Sequence, residues 1–206
     1  VVNFIMPGQA GVDPERIPAD VLNALFGGTF TSRLNQNLRE DKGYTYGARS
    51  GFARRPDQGT FVASADVRTD VTGASLSEFL AEFARARGGD IGADEVSGAS
   101  SSVRSRIVSG YESLGSTVGT WLAMRDRGNV PADAARDLAA LGAVSAEQVN
   151  GLAARLIPTE RLLLVLVGDR QAVLPQLDGL GLPPVDIVDE RGRTVPEGVV
   201  PEAGSR

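Results

Sequence analysis

The chain has 206 residues, 42% of them apolar, a net charge of −5, and neither histidine nor cysteine. That length supports one substantial core or two small subdomains sharing a face, and charge spread without blocks of one sign offers no basic stripe for a nucleic-acid partner. Lack of cysteine excludes a disulfide framework and a thiol nucleophile, and the longest strongly apolar run, Leu162 to Val167, is too short to cross a bilayer.

Val1 to Met6 reads as a buried strand closed by Pro7-Gly8. With no initiating Met and no signal peptide before it, the chain reads as a segment of a longer protein. Asp13 and Pro14 suit the cap and first turn of a helix carrying Ile17, Val21, Leu22 and Leu25, which stops at Gly27-Gly28. Thr31 or Ser32 caps a second helix through Leu34, Leu38 and Glu40, ending at Gly43. Tyr44 to Phe52 and Gly59 to Val67 alternate as two antiparallel strands, joined by the turn residues Arg54 to Gln58.

From about Asp70 to Leu156 the pattern is helical. One helix spans Thr72 to Arg87, and a second runs from Asp94 towards Tyr111. A third carries Val118, Trp121, Leu122 and Met124 as a core or interface helix, and a fourth starts at Pro131. Ser145 with Gln148 makes a capping box for a fifth. Arg161 to Val167 reads as a strand, followed by a short helix around Val173 to Leu177. The Pro- and Gly-rich stretch from Pro183 has a turn at Asp189 to Gly192 that suits two short strands, and Pro201 to Arg206 reads as a loose end. Strands at both ends with helices between them predict an α+β arrangement, an antiparallel-rich mixed sheet with helices on one face. Residues 1–182 form the domain and 183–206 a C-terminal extension.

The most specific stretch is Asn23…Phe26-Gly27-Gly28-Thr29-Phe30-Thr31-Ser32-Arg33-Leu34, continuing into Leu38-Arg39-Glu40-Asp41-Lys42-Gly43-Tyr44-Thr45-Tyr46. It resembles the C-terminal domain of the pitrilysin/insulinase zinc peptidases, a family that includes the mitochondrial processing peptidases. Weaker likeness follows in order at Gly59-Thr60-Phe61, Val67-Arg68-Thr69, Val144 to Val149 and Val165 to Asp169, so that it covers nearly the whole chain. The resemblance implies a LuxS/MPP-like metallopeptidase domain with Gly27, Gly28, Ser32, Arg33 and Gly43 as its structural motif. It implies further that Arg39 and Tyr46 contact a peptide substrate held at a zinc site elsewhere. In the family that zinc sits on a His-x-x-Glu-His helix of another domain or subunit, which this histidine-free chain does not carry. The implied partners are that zinc-bearing domain or subunit and the peptide, with a homodimer as an open arrangement. Bacterial members tend to work in the periplasm or otherwise outside the cytoplasm. Cofactors within this chain are expected to be none.

The chemistry suits these roles. A tyrosine hydroxyl can donate to a scissile carbonyl as negative charge builds on it, and arginine offers a fixed fork of donors to carbonyls or carboxylates. Gly43 lets the chain turn from helix to strand between them. Plainer roles stand beside these: Arg39-Glu40 as a solvated pair, Tyr46 as a half-buried strand residue, and Tyr44, expected on the same strand face, as the functional tyrosine instead. Gly27-Gly28 lacks the lysine that follows in a phosphate-binding loop, and Ser32 with Lys42, the sole lysine, lacks the spacing of a Ser-Lys dyad. Two rivals remain: a catalytically silent assembly subunit of the same family, and a stand-alone enzyme without metal.

Overall fold

The computed structural model describes residues 1–157, 159–189 and 191–195. Four strands, β1 (Val2–Gly8), β2 (Thr45–Arg54), β3 (Gly59–Val67) and β4 (Leu163–Leu166), form one sheet in the order β2-β3-β1-β4. All three pairings are antiparallel, so the expected mixed character resolves to a purely antiparallel sheet. The hydrophobic alternation sets the register. Val2, Phe4 and Met6 of β1 lie opposite Ala65, Ala63 and Phe61 of β3, and all six are buried. Between them Asn3 and Ile5 are only half-buried on the other face, as the period of two requires.

The helices cover the buried face. These are α1 (Arg16–Asn23), α2 (Arg33–Asn35), α3 (Thr72–Arg87), α4 (Ala93–Ser109), α5 (Leu114–Asp126), α6 (Asp133–Leu141), α7 (Ala146–Leu156) and α8 (Arg170–Val173). The core is aromatic where sheet meets helix: Phe4 packs edge-on against Phe83 at 5.1 Å and beside Phe79 at 4.9 Å, while Phe26 stacks on Phe83 at 5.5 Å. Such ring pairs add directional attraction to the area they bury. No helix among the described residues is long and apolar enough to cross a membrane.

Several boundaries differ from expectation for local reasons. β1 runs on through Pro7 and Gly8, because Gly8 lies opposite Gly59 with no room for a side chain against Thr60. The first helix begins at Arg16, since the Asp13 carboxylate accepts from Glu15 N at 2.8 Å in a turn that precedes it. α6 begins at Asp133, whose carboxylate accepts from Val130 N at 3.0 Å and holds Pro131 in the preceding turn. Ser145 caps α7 by accepting from Gln148 N at 3.2 Å, the forward half of the expected box. α8 starts three residues early, because Asp169 accepts from Gln171 N and Ala172 N.

The largest departure is α5. Of Val118, Trp121, Leu122 and Met124, only Met124 is buried, so the helix adds little to the core. Near the C-terminus the expected strand pair is a single bridge, Val188 to Thr194. Glu190 and the expected loose end, Pro201 to Arg206, lie outside the described residues.

Candidate substrate-contact site

The motif begins where α1 widens. Residues Ala24–Gly28 continue it as a π-helix, and Gln36–Asp41 continue α2 in the same way. Short π segments of this kind are costly and concentrate at functional sites. Gly27 and Gly28 end the first by close approach rather than by a special backbone angle. A Cβ on Gly27 would stand 2.5 Å from Ser50 Oγ and 2.6 Å from Ser50 N on β2, and one on Gly28 would stand 2.6 Å from Asn23 Nδ2.

Ser32 and Arg33 then fix the second segment. Ser32 is buried at the N-cap of α2, and its Oγ accepts from Asn35 Nδ2 at 3.2 Å rather than from a helical N–H. The Arg33 side chain is only 10% exposed and grips Glu95 with two bonds of 2.7 Å, while Asp90 takes a third. That fork ties α2 to the start of α4. Its bond to Glu95, opposed by burial, raises the Arg33 pKa, and the same bond holds the Glu95 carboxyl below the usual range.

Asn35 is a keystone that sequence reasoning missed. Its amide donates to Thr29 O at 3.0 Å and its carbonyl accepts from Ala48 N at 2.9 Å, so it joins the loop after the first π segment to β2. Its place inside the Ser32-to-Arg39 stretch was the available signal. With Gly27 against Ser50, the Asn35 bond packs the π-helical segments onto the outer edge of β2 at Ala48 and Ser50.

Gly43 lies between the expected contact residues with φ of 63°. The turn is closed by Gly43 N donating to Arg39 O at 3.1 Å and Tyr44 N to Leu38 O at 2.8 Å. Nothing lies within 4 Å of a Cβ built on Gly43, so glycine serves here for its left-handed backbone and not for space. Beyond the turn, two residues of β2, Tyr46 and Gly47, stand opposite the single Asp66 of β3, a bulge between the Thr45 and Ala48 pairings. Thr45 Oγ1 pins it by donating to Asp66 O at 2.7 Å and accepting from Gly47 N at 3.1 Å.

The two tyrosines, which were expected on one strand face, differ in setting: Tyr44 precedes β2 and Tyr46 lies in its bulge. Tyr44 is half-buried against the core, whereas Tyr46 is 100% exposed and not half-buried as its plainer reading held. Arg39 lies in the second π segment with its guanidinium 4.1 Å above the ring of exposed Phe30. Its Nη1 is 3.3 Å from Glu40 Oε1, an ion pair without the angle of a hydrogen bond. Both side chains therefore flank the Gly43 turn, but no hydrogen bond or cation–π contact joins them among the described residues. No group of three or more His, Cys, Asp or Glu among those residues could hold a metal ion.

The fold recurs in proteins of known structure. A peptidase M16 inactive domain from Pseudomonas fluorescens is 22% identical with a TM-score of 0.71, and 80% of this chain covers 39% of it. A protease from Helicobacter pylori is 16% identical with a TM-score of 0.73, and 80% of this chain covers 40% of it. The chain thus spans about two-fifths of the length of these two relatives. An inactive peptidase domain from Bordetella parapertussis, 13% identical with a TM-score of 0.68, is covered over 89% of its own length by 80% of this chain. No curated protein matches. The sequence profile described as the peptidase M16 inactive domain matches residues 1–103, half of the chain, which carry the whole glycine, arginine and tyrosine motif; the chain belongs to that family, as a C-terminal, non-zinc domain of the pitrilysin type.

Proposed function

We propose that residues 1–182 form one wall of a peptide-binding chamber, with 183–206 as an extension, and that Arg39 and Tyr46 reach a peptide bound at a zinc ion on another domain or subunit. The zinc would be held by a His-x-x-Glu-His helix there, in the same polypeptide or in trans, and would supply the activated water. The carrying observation is that Tyr46 is fully exposed on a pinned bulge just past the Gly43 turn. A phenol in that position is free to donate to a carbonyl oxygen as charge develops on it. The Arg39 fork, flat on Phe30, keeps donors for a backbone carbonyl or carboxylate.

The test is Tyr46→Phe and Arg39→Ala in the full-length protein with its zinc-bearing partner. Each should lower kcat/KM for peptide cleavage by about tenfold to a hundredfold, with the melting temperature of Tyr46→Phe unchanged because that side chain is fully exposed. Unchanged cleavage in both variants refutes the role.

A second reading has its own support: a chain of complex III from Candida albicans shares the fold with a TM-score of 0.66 at 12% identity. On that reading the domain is a catalytically silent assembly subunit, and no partner bearing His-x-x-Glu-His accompanies it.

A further inference from the structure

Away from the motif, a cavity of about 370 Å³ opens between α1, β2 and the loosely attached α5, with α4 and α6 at its sides. Four arginines and two aspartates line it. Both aspartates are already engaged. Asp137 takes two 2.6 Å bonds from Arg16 Nη2, and Asp20 takes a 2.6 Å bond from Arg54 Nη1 with Arg16 Nη1 3.9 Å away. Arg54 sits over Phe52 at 4.4 Å with its side chain 6% exposed, and its buried Nε has no partner.

Arg106 is exposed, and Arg127 is the half-buried arginine of the lining that has no bonded partner among the described residues. Among the described residues its side chain makes no hydrogen bond or ion pair, and its Nε is buried. Its backbone is nevertheless fixed. Gly11 comes so close to Arg127 O that a Cβ there has no room, and Gly128 follows with φ of 81°. Burial first, and repulsion from Arg16 next, pull the Arg127 pKa down, with attraction from Asp20 only partly offsetting them. A half-buried guanidinium without a bonded partner, set beside two others, carries a desolvation cost that an added anion would offset.

We propose that this cavity is an anion site that takes a carboxylate carried on an apolar group, with the Arg127 guanidinium as its donor. Arg106, exposed at the rim, is left to solvent, and it is the apolar part of the lining that favours a carboxylate on an apolar group over inorganic phosphate. Phe52, Ile107 and Met124 supply the apolar wall for the attached group. The carboxylate has two sources, a free organic acid or the C-terminus of a peptide. The site stands apart from Arg39 and Tyr46, and its success or failure leaves their role untouched.

The experiment is calorimetric titration of the full-length protein with four probes at millimolar concentration. These are phenylpropionate, an N-acetylated tripeptide ending in phenylalanine as free acid, the same tripeptide as amide, and inorganic phosphate. The wild type should bind at least one of the acids and not the amide; which acid binds identifies the source. Arg127→Gln should weaken that acid about tenfold or more, the loss of a charge-assisted pair. Ala123→Phe, at an exposed position on the α5 side of the cavity, should weaken it similarly while leaving every charge in place, and carries the test if Arg127→Gln does not fold. The proposal is overturned if neither acid binds, if phosphate alone binds, if the amide matches its acid, or if the folded variants bind like the wild type.

Discussion

Gly27→Ala should be among the more damaging single-methyl additions available to this chain. The new Cβ would stand 2.5 Å from Ser50 Oγ, 2.6 Å from Ser50 N and 2.9 Å from Leu34 Cδ1. The hydroxyl cannot simply swing away, because it donates to Asn23 Oδ1 at 2.7 Å. Nor can the backbone nitrogen retreat while Ser50 remains paired with Ala63 of β3. Overpacking against groups of this kind costs about 1–3 kcal/mol, and with backbone as the obstacle the expectation is about 3 kcal/mol. For a domain of this size that corresponds to a fall in Tm of roughly 6–12 °C. Calorimetric melting of the full-length protein would read it, with Gly98→Ala as the matched control. Gly98 lies in the exposed middle of α4 with nothing within 4 Å of an added Cβ, so the same methyl there should stabilise by about 0.5–1 kcal/mol. The packing argument fails if Gly27→Ala melts within about 1 °C of the wild type, or if both substitutions shift Tm in the same direction by similar amounts.

Two further outcomes follow from the same region. Gly43→Ala meets no steric obstacle but must adopt φ of 63°, so it should cost about 1–2 kcal/mol and Gly43→Asn markedly less; equal losses in the two variants' unfolding free energies would contradict a backbone origin. The Glu95 carboxyl is held below its usual range by the Arg33 bond, and Asp90 is held low by Arg33 against the opposing effect of burial. Carboxyls with depressed folded values contribute stability above their unfolded pKa, roughly 4, and lose it as pH falls through the folded value. The Tm gap between wild type and Arg33→Gln should therefore be widest near neutrality and narrow below about pH 4, and a gap that stays constant into acid would count against the clamp.

Much of the fold was legible in the residues, and the exceptions have definite causes. Thr72 to Arg87 formed the helix that its apolar spacing and terminal Gly88-Gly89 predict. The alternation in Gly59 to Val67 set its strand correctly. The two π segments were invisible because one extra residue in a turn barely changes an apolar pattern over five or six positions. The same limit hid the bulge at Tyr46-Gly47. On α5, Val118, Trp121 and Leu122 have core-like spacing, yet all three are exposed, for periodicity reports an apolar face and not what covers it. The cavity arginines lie at positions 16, 54, 106 and 127, too far apart in sequence for any motif to announce them.

The extra residue in β2 has a consequence for how this surface can vary. Ala48 and Phe52 keep their inward places through pairing with Ala65 and Phe61, whatever the chain does before Thr45. Exchanges at Tyr46 and Gly47, the two bulge positions outside the paired ladder, can therefore change the outward group without disturbing the hydrophobic interior. A scaffold with such a spare outward position can alter which ligand it greets while melting at an unchanged temperature.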